Sequence, residues 1–184
     1  MTDVAVIVID VQQEFFTGPK PAYRADEVID GINRLTAAAR LASVPVCFVQ
    51  HDGAPGDGEV ESGTPGWQIA ARLTRHDGDG IVRKTVRDAF HQTNLEDWLD
   101  DIGARHLVLC GYATPYCVNA TLRRAVELGY RVTVADDLHT THDVGDTRAA
   151  DVVAQHCGEW RSLTGPAGAP TLRSLTDILA MELV

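Results

Sequence analysis

Val4-Ala5-Val6-Ile7-Val8-Ile9-Asp10 is a nearly continuous β-branched run that ends in a carboxylate. A strand with one wet face alternates apolar and polar residues. This run does not alternate, so it reads as a strand buried on both faces, as in a parallel sheet covered by helices. Asp10 then stands at the strand's carboxyl end. Similar runs recur at Val44-Pro45-Val46-Cys47-Phe48-Val49, Gly80-Ile81-Val82, His106-Leu107-Val108-Leu109-Cys110 and Arg131-Val132-Thr133-Val134-Ala135. Pro45 has no N–H to give a ladder and fits only the start of its strand.

Between these runs the period becomes helical. Asp26 to Ala42 puts Val28, Ile29, Ile32, Leu35 and Ala39 on one face, with Asp26 as the cap. Thr93-Asn94-Leu95-Glu96 reads as a capping box that opens a helix through Trp98, Leu99 and Ile102, and Gly103 stops it. Val118 to Leu128, closed by Gly129, is a third helix. In the last third, 146–155 reads as helix, 159–163 as a sixth strand, 165–170 as a local loop and 171–183 as a terminal helix. Alternating strands and helices predict an α/β fold: a single-domain, doubly wound, mainly parallel six-stranded sheet with helices on both faces, spanning 1–184.

Bulk properties narrow the function classes. A chain of 184 residues can bury a core that needs no disulfide staples. A formal charge of -10 repels phosphate backbones, which argues against nucleic acid and leaves a small molecule as the expected partner. The apolar runs are strand-length, which argues against a membrane span. The first residues lack a basic stretch followed by an apolar one, so a cytoplasmic address is the default expectation. Cysteines 47, 110, 117 and 157 show no C-x-x-C spacing, which argues against a disulfide framework or a thiolate metal site.

Ligands of open α/β sheets bind beyond the carboxyl ends of the strands. Three chemically capable residues fall there: Asp10 after the first strand, Lys84 after the third and Cys117 beyond the fourth. Leu109 to Val118 runs from strand through tight turn into helix, which puts the Cys117 sulfur at a helix N-terminus. Backbone N–H groups and the positive end of the dipole favour a thiolate there and can hold an oxyanion. Each residue also has a plainer reading. Cys117 can be a small buried hydrophobe, Asp10 a strand-end cap and Lys84 a solvated surface charge. The chemical reading makes Asp10 a general base and Lys84 a fixed cation beside the thiol.

Taken together, Asp10, Lys84 and the G-x-x-T-x-x-C-V segment of Gly111 to Val118 resemble the isochorismatase-like cysteine hydrolases, a family that includes nicotinamidases and N-carbamoylsarcosine amidohydrolase. Asp10-Val11-Gln12-Gln13-Glu14-Phe15 is similar to that family's D-x-Q-x-x-F opening, and Lys84 to Phe90 to its K-x-x-x-S-A-F element. Asn119-Ala120-Thr121 with Arg124-Ala125, then Asp136-Asp137 with Thr140-Thr141, follow in the same order. The resemblance implies a triad of Asp10, Lys84 and Cys117. It also implies a cis Tyr112–Ala113 peptide bond, an oxyanion hole from the amides of Ala113 and Cys117, and assembly as a homodimer or homotetramer. The activity it implies is hydrolysis of a carbon–nitrogen bond in a small amide, ureide or carbamoyl compound through a thioester. Alternatives are vinyl ether hydrolysis, which needs no thiol, and an idle scaffold that works through a partner surface.

The chain departs from the family pattern in places. Nicotinamidases carry an Asp and histidines after the second strand for a metal, whereas this segment is Gln50-His51-Asp52-Gly53. The expectation is therefore no metal and no cofactor, with His51 and His76 as loop histidines and His51 on the pocket wall. Gly63-Thr64-Pro65-Gly66-Trp67 resembles the metal-free branch, and the loop from His51 to Gly66 is expected to fold over the site or a neighbouring subunit. Trp67, Phe90, Thr114 and Tyr116 complete the expected substrate pocket. Pro115 stands where many relatives have an acidic residue, and Asp88 replaces the usual serine of the lysine element.

Overall fold

A computed structural model describes residues 3–56 and 60–181. Six strands form one sheet: β1 (Val4–Ile9), β2 (Val46–His51), β3 (Gly80–Lys84), β4 (His106–Tyr112), β5 (Arg131–Thr140) and β6 (Thr171–Arg173). Their order is β3-β2-β1-β4-β5-β6, and every pairing is parallel. The helices are α1 (Gln13–Thr17), α2 (Ala25–Leu41), α3 (Leu95–Asp101), α4 (Asn119–Glu127), α5 (Ala149–Trp160) and α6 (Leu175–Met181).

The lack of alternation in β1 follows from its central place. Val4, Val6 and Val8 enter the core shared with Val28, Ile29, Ile32 and Leu35 of α2 and Ile178 of α6. Ala5, Ile7 and Ile9 enter the opposite core with Leu95 and Leu99 of α3, Leu122 and Ala125 of α4 and Trp160 of α5. A fully buried aliphatic side chain stabilises the fold by about 1.5–3 kcal/mol, so these two layers decide the architecture. Chain order reverses at β1, whose neighbours are β2 and β4. The crevice opens beyond their carboxyl ends, where Asp10 and Ala113 emerge.

Several local expectations are corrected. Arg24, in the left-handed region, precedes α2, while Asp26 lies in the first turn without capping it. The Thr93 hydroxyl donates to Ala89 O and accepts from Leu95 N, so no reciprocal capping box forms. The third predicted helix begins earlier, with a π-helical turn over Thr114–Val118 leading into α4. The sixth strand is Thr171–Arg173, not 159–163, because α5 continues to Trp160 and buries that indole. The terminal helix is correspondingly shorter and starts at Leu175, and the end of its expected range, 182–183, lies outside the described residues. Among the described residues no helix is long and apolar enough to cross a membrane.

Candidate active site

The site grows from three strand ends. Asp10 leaves β1 at φ 48 and is 1% exposed. Gln12, two residues on, is fully buried and acts as a brace. Its Nε2 donates to His51 O at 2.9 Å and Trp67 O at 2.8 Å, while its Oε1 accepts from His51 N at 2.9 Å. These bonds tie the end of β1 to the end of β2 and to the loop beyond it.

Lys84 ends β3 and is 2% exposed. Its Nζ lies 2.7 Å from Asp10 Oδ2, 3.1 Å from Val86 O, 3.2 Å from His51 Nδ1 and 3.3 Å from Cys117 Sγ. An ammonium has only protons to offer, so His51 Nδ1 is the acceptor and the imidazole proton sits on Nε2. Burial, then the Lys84 charge, hold His51 below the usual histidine range, against the opposing pull of Asp10 and Asp52.

Cys117 arrives by a different route. Gly111 pairs with Ile9 at φ 118, where an added Cβ would stand 2.1 Å from Ile9 O. Only glycine lets β4 come that close to β1. The β4–β5 register shifts between Leu109 and Gly111, and the Tyr112–Ala113 peptide bond is cis. The π turn follows, with Ala113 O accepting from Tyr116 N at 2.9 Å and Val118 N at 3.2 Å. Pro115 fits near its start, where helical N–H groups lack intrahelical partners.

The surroundings of Cys117 work against ionisation of its thiol. Burial pushes Cys117 up to about 12, the Asp10 charge adds to the rise and Lys84 opposes it. The dipole argument from sequence favours a thiolate, but desolvation of the half-buried sulfur and the charge of the adjacent Asp10 carboxylate oppose it. Among the described residues neither Asp10 oxygen has a well-oriented hydrogen bond, although the ion pair with Lys84 is close. A buried carboxylate left with spare lone pairs beside a protonated thiol is equipped to take that proton.

A cavity of about 680 Å³ opens over these groups, lined by Asp10, Ala113, Cys117, His51 and Tyr116 among the expected residues. That volume suits a small organic ligand. Three expected wall residues lie elsewhere. Trp67 turns its Nε1 to Asp52 Oδ1 at 2.7 Å and its ring under Arg83. Phe90 is core, stacked on Tyr130 at 5.8 Å. Thr114 is fully buried, with its hydroxyl 2.9 Å from His139 Nδ1, so it supports the π turn from behind.

Phe15, Gly53, Val60, Arg87, Tyr112 and His142 also line the cavity and were absent from the expected set. Phe15 and Arg87 belong to the first-strand and lysine segments, which carried a signal. His142 follows Thr141 and carried none. Phe15 stacks on Tyr112 at 4.3 Å. His142 Nε2 donates to Lys20 O at 2.7 Å, so its Nδ1 accepts from the Tyr112 hydroxyl at 2.8 Å. Gly53 and Val60 bring the loop after β2 to the cavity, while 57–59 lie outside the described residues.

Among the described residues no three His, Cys, Asp or Glu side chains are grouped to hold a metal ion. Asp52 instead pairs with Arg83 at 2.9 Å, and His51 Nδ1 is turned to Lys84.

The family model described as the isochorismatase domain matches residues 4–163. The chain is 39% identical over 140 residues to a streptothricin hydrolase of Streptomyces noursei, covering 76% of this chain. It spans about half the length of that protein and of a second streptothricin hydrolase, 50% and 55% respectively. It is 30% identical to the secreted isochorismatase effector Isc1 of Verticillium dahliae, over 96% of this chain and 90% of that one. It is 29% identical to the ureidoacrylate amidohydrolase RutB of Pseudomonas syringae, over 78% and 72%. The crystal structure of an isochorismatase from Pseudomonas putida superposes with a TM-score of 0.85 at 27% identity, covering 95% of this chain and 89% of that one.

Proposed function

The chain belongs to the isochorismatase family, and from that premise we propose that it is a metal-independent cysteine hydrolase of a carbon–nitrogen bond in a small amide, ureide or carbamoyl compound. The observation that carries this reading is one lysine Nζ bridging a carboxylate at 2.7 Å and a thiol at 3.3 Å on the wall of a ligand-sized cavity. An acid-catalysed vinyl ether hydrolysis gives that thiol no task. The activities for which streptothricin hydrolase and ureidoacrylate amidohydrolase are named are hydrolytic, which supports this reading.

In this mechanism Asp10 takes the Cys117 proton as the sulfur attacks the substrate carbonyl, and Lys84 stabilises the negative charge as it leaves the sulfur. Proton transfer and attack are coupled in this mechanism, because burial and the Asp10 charge raise the thiol and disfavour a free thiolate. The amides of Ala113 and Cys117 are assigned to the oxyanion of the tetrahedral intermediate. Collapse breaks the carbon–nitrogen bond, and the departing nitrogen takes the proton from Asp10. Water then gives a proton to Asp10 and attacks the thioester. The second collapse breaks the carbon–sulfur bond, returns that proton to sulfur and releases the acid.

The test is release of ammonia or amine from a panel of amides, ureides and carbamoyl amino acids, with and without chelator. One or more should be hydrolysed at a chelator-insensitive rate that Cys117→Ala lowers by at least about a thousandfold. Undiminished turnover in that folded variant would remove the nucleophile, and a chelator-sensitive rate would remove metal independence.

A further inference from the structure

We propose that Arg87 selects substrates bearing a carboxylate outside the scissile group, so that the preferred compounds are amido, ureido or carbamoyl acids rather than neutral or cationic amides. The inference rests on the cysteine hydrolase reading and names the substrate class of that same site.

The observation behind it is an uncommitted cation at the cavity wall. Arg24, Arg40, Arg72, Arg83, Arg105 and Arg131 each pair with a carboxylate. Arg87 lines the cavity, and among the described residues its contact is instead the face of Tyr116, with Cζ 4.4 Å from the ring centroid. The adjacent Asp88 is not paired with it; its Oδ1 accepts from Phe90 N at 2.8 Å instead. A cation over an aromatic face is steadied without being neutralised, so the guanidinium fork remains free to bind a planar anion through two N–H groups.

The rest of the cavity sets the direction of binding. Asp10, the acidic member of the lining, is ion-paired to Lys84, so the cation beside Cys117 is already matched and offers a second carboxylate no free charge. A compound with a neutral carbonyl at one end and a carboxylate at the other therefore sits with the carbonyl at the sulfur and the anion at Arg87. Tyr116 immediately precedes Cys117 on the π turn, so the ring that steadies Arg87 is carried by the turn that carries the sulfur. With a formal charge of -10, the chain has no overall field to draw in anions, so selection depends on this local cation.

The test compares N-bromoacetylglycine with N-bromoacetylglycinamide, which differ only in the charge of the terminal group. In both, the Cys117 sulfur displaces bromide, a carbon–sulfur bond replaces carbon–bromine, and the thiol proton passes to base. Labelling of Cys117 is followed by mass spectrometry, and the ratio of the two rates cancels any change in intrinsic thiol reactivity. The acid should label the wild-type chain roughly tenfold to a hundredfold faster than the amide. In Arg87→Gln the ratio should fall to about one, with Arg87→Lys between. Equal rates in the wild type, or a preference that survives Arg87→Gln, would overturn the inference and leave the cysteine hydrolase reading standing. No labelling of Cys117 by either probe would overturn both.

Discussion

Lys84 Nζ lies 2.7 Å from Asp10 Oδ2, with the two side chains 0% and 1% exposed. A buried ion pair contributes little net stability by existing, yet removing one member strands the other charge in a low-dielectric site. Lys84→Met should therefore cost roughly 3–5 kcal/mol in urea unfolding, besides abolishing turnover. A loss under about 1 kcal/mol would mean that water reaches Asp10 and screens it.

Beyond the effect of burial, Asp10 raises the Cys117 thiol while Lys84 lowers it, so the carboxylate hinders free thiolate even as it serves the proposed reaction. Asp10→Asn should speed alkylation of Cys117 by iodoacetamide while stopping amide hydrolysis. With the wild-type thiol near 12, its alkylation rate should climb about tenfold per pH unit from 7 to 9 without a plateau. A plateau below pH 8 would point to a preformed thiolate and to a different role for Asp10.

His139 is 3% exposed, between the Thr114 hydroxyl at 2.9 Å and Cys157 Sγ at 3.4 Å. Burial, reinforced by His156, pushes it down from 6.5 to about 3, so between those values the unfolded chain takes a proton that the folded chain refuses. Its contribution is present in full above 6.5 and is lost as pH falls toward 3. Between pH 6.5 and 4.5 this loss is at most about 3 kcal/mol, and His139→Gln should shallow the acid limb of a urea-unfolding series by a similar amount. Parallel limbs in the two proteins would show that other groups set the acid limit.

Gly111 stands where β4 bends toward the π turn, and an added Cβ would be 2.1 Å from the backbone oxygen of Ile9. Neither that backbone nor the φ of 118 accommodates a side chain. Gly111→Ala should destabilise the chain by about 3 kcal/mol or more, or prevent folding, as read by circular dichroism and urea unfolding. A variant of wild-type stability would require β4 to leave its register with β1.

The sequence by itself determined the sheet, because burying β1 on both faces demands the unbroken apolar run Val4–Ile9, and that pattern is local. It also placed Asp10, Lys84 and Cys117 at strand ends facing one crevice, since doubly wound topology turns sequence order into spatial order. Tertiary structure decided the rest. Whether β6 is Thr171–Arg173 or 159–163 turns on pairing with Thr133 to Ala135 and on burial of Trp160, neither visible in three-residue windows. Trp67 and Phe90 carry the same apolar signal as Phe15 and Tyr112, yet only the latter two reach the cavity. The upward shift of the thiol opposes the dipole argument because desolvation depends on everything packed around the sulfur, and that density is a property of the folded chain rather than of any segment.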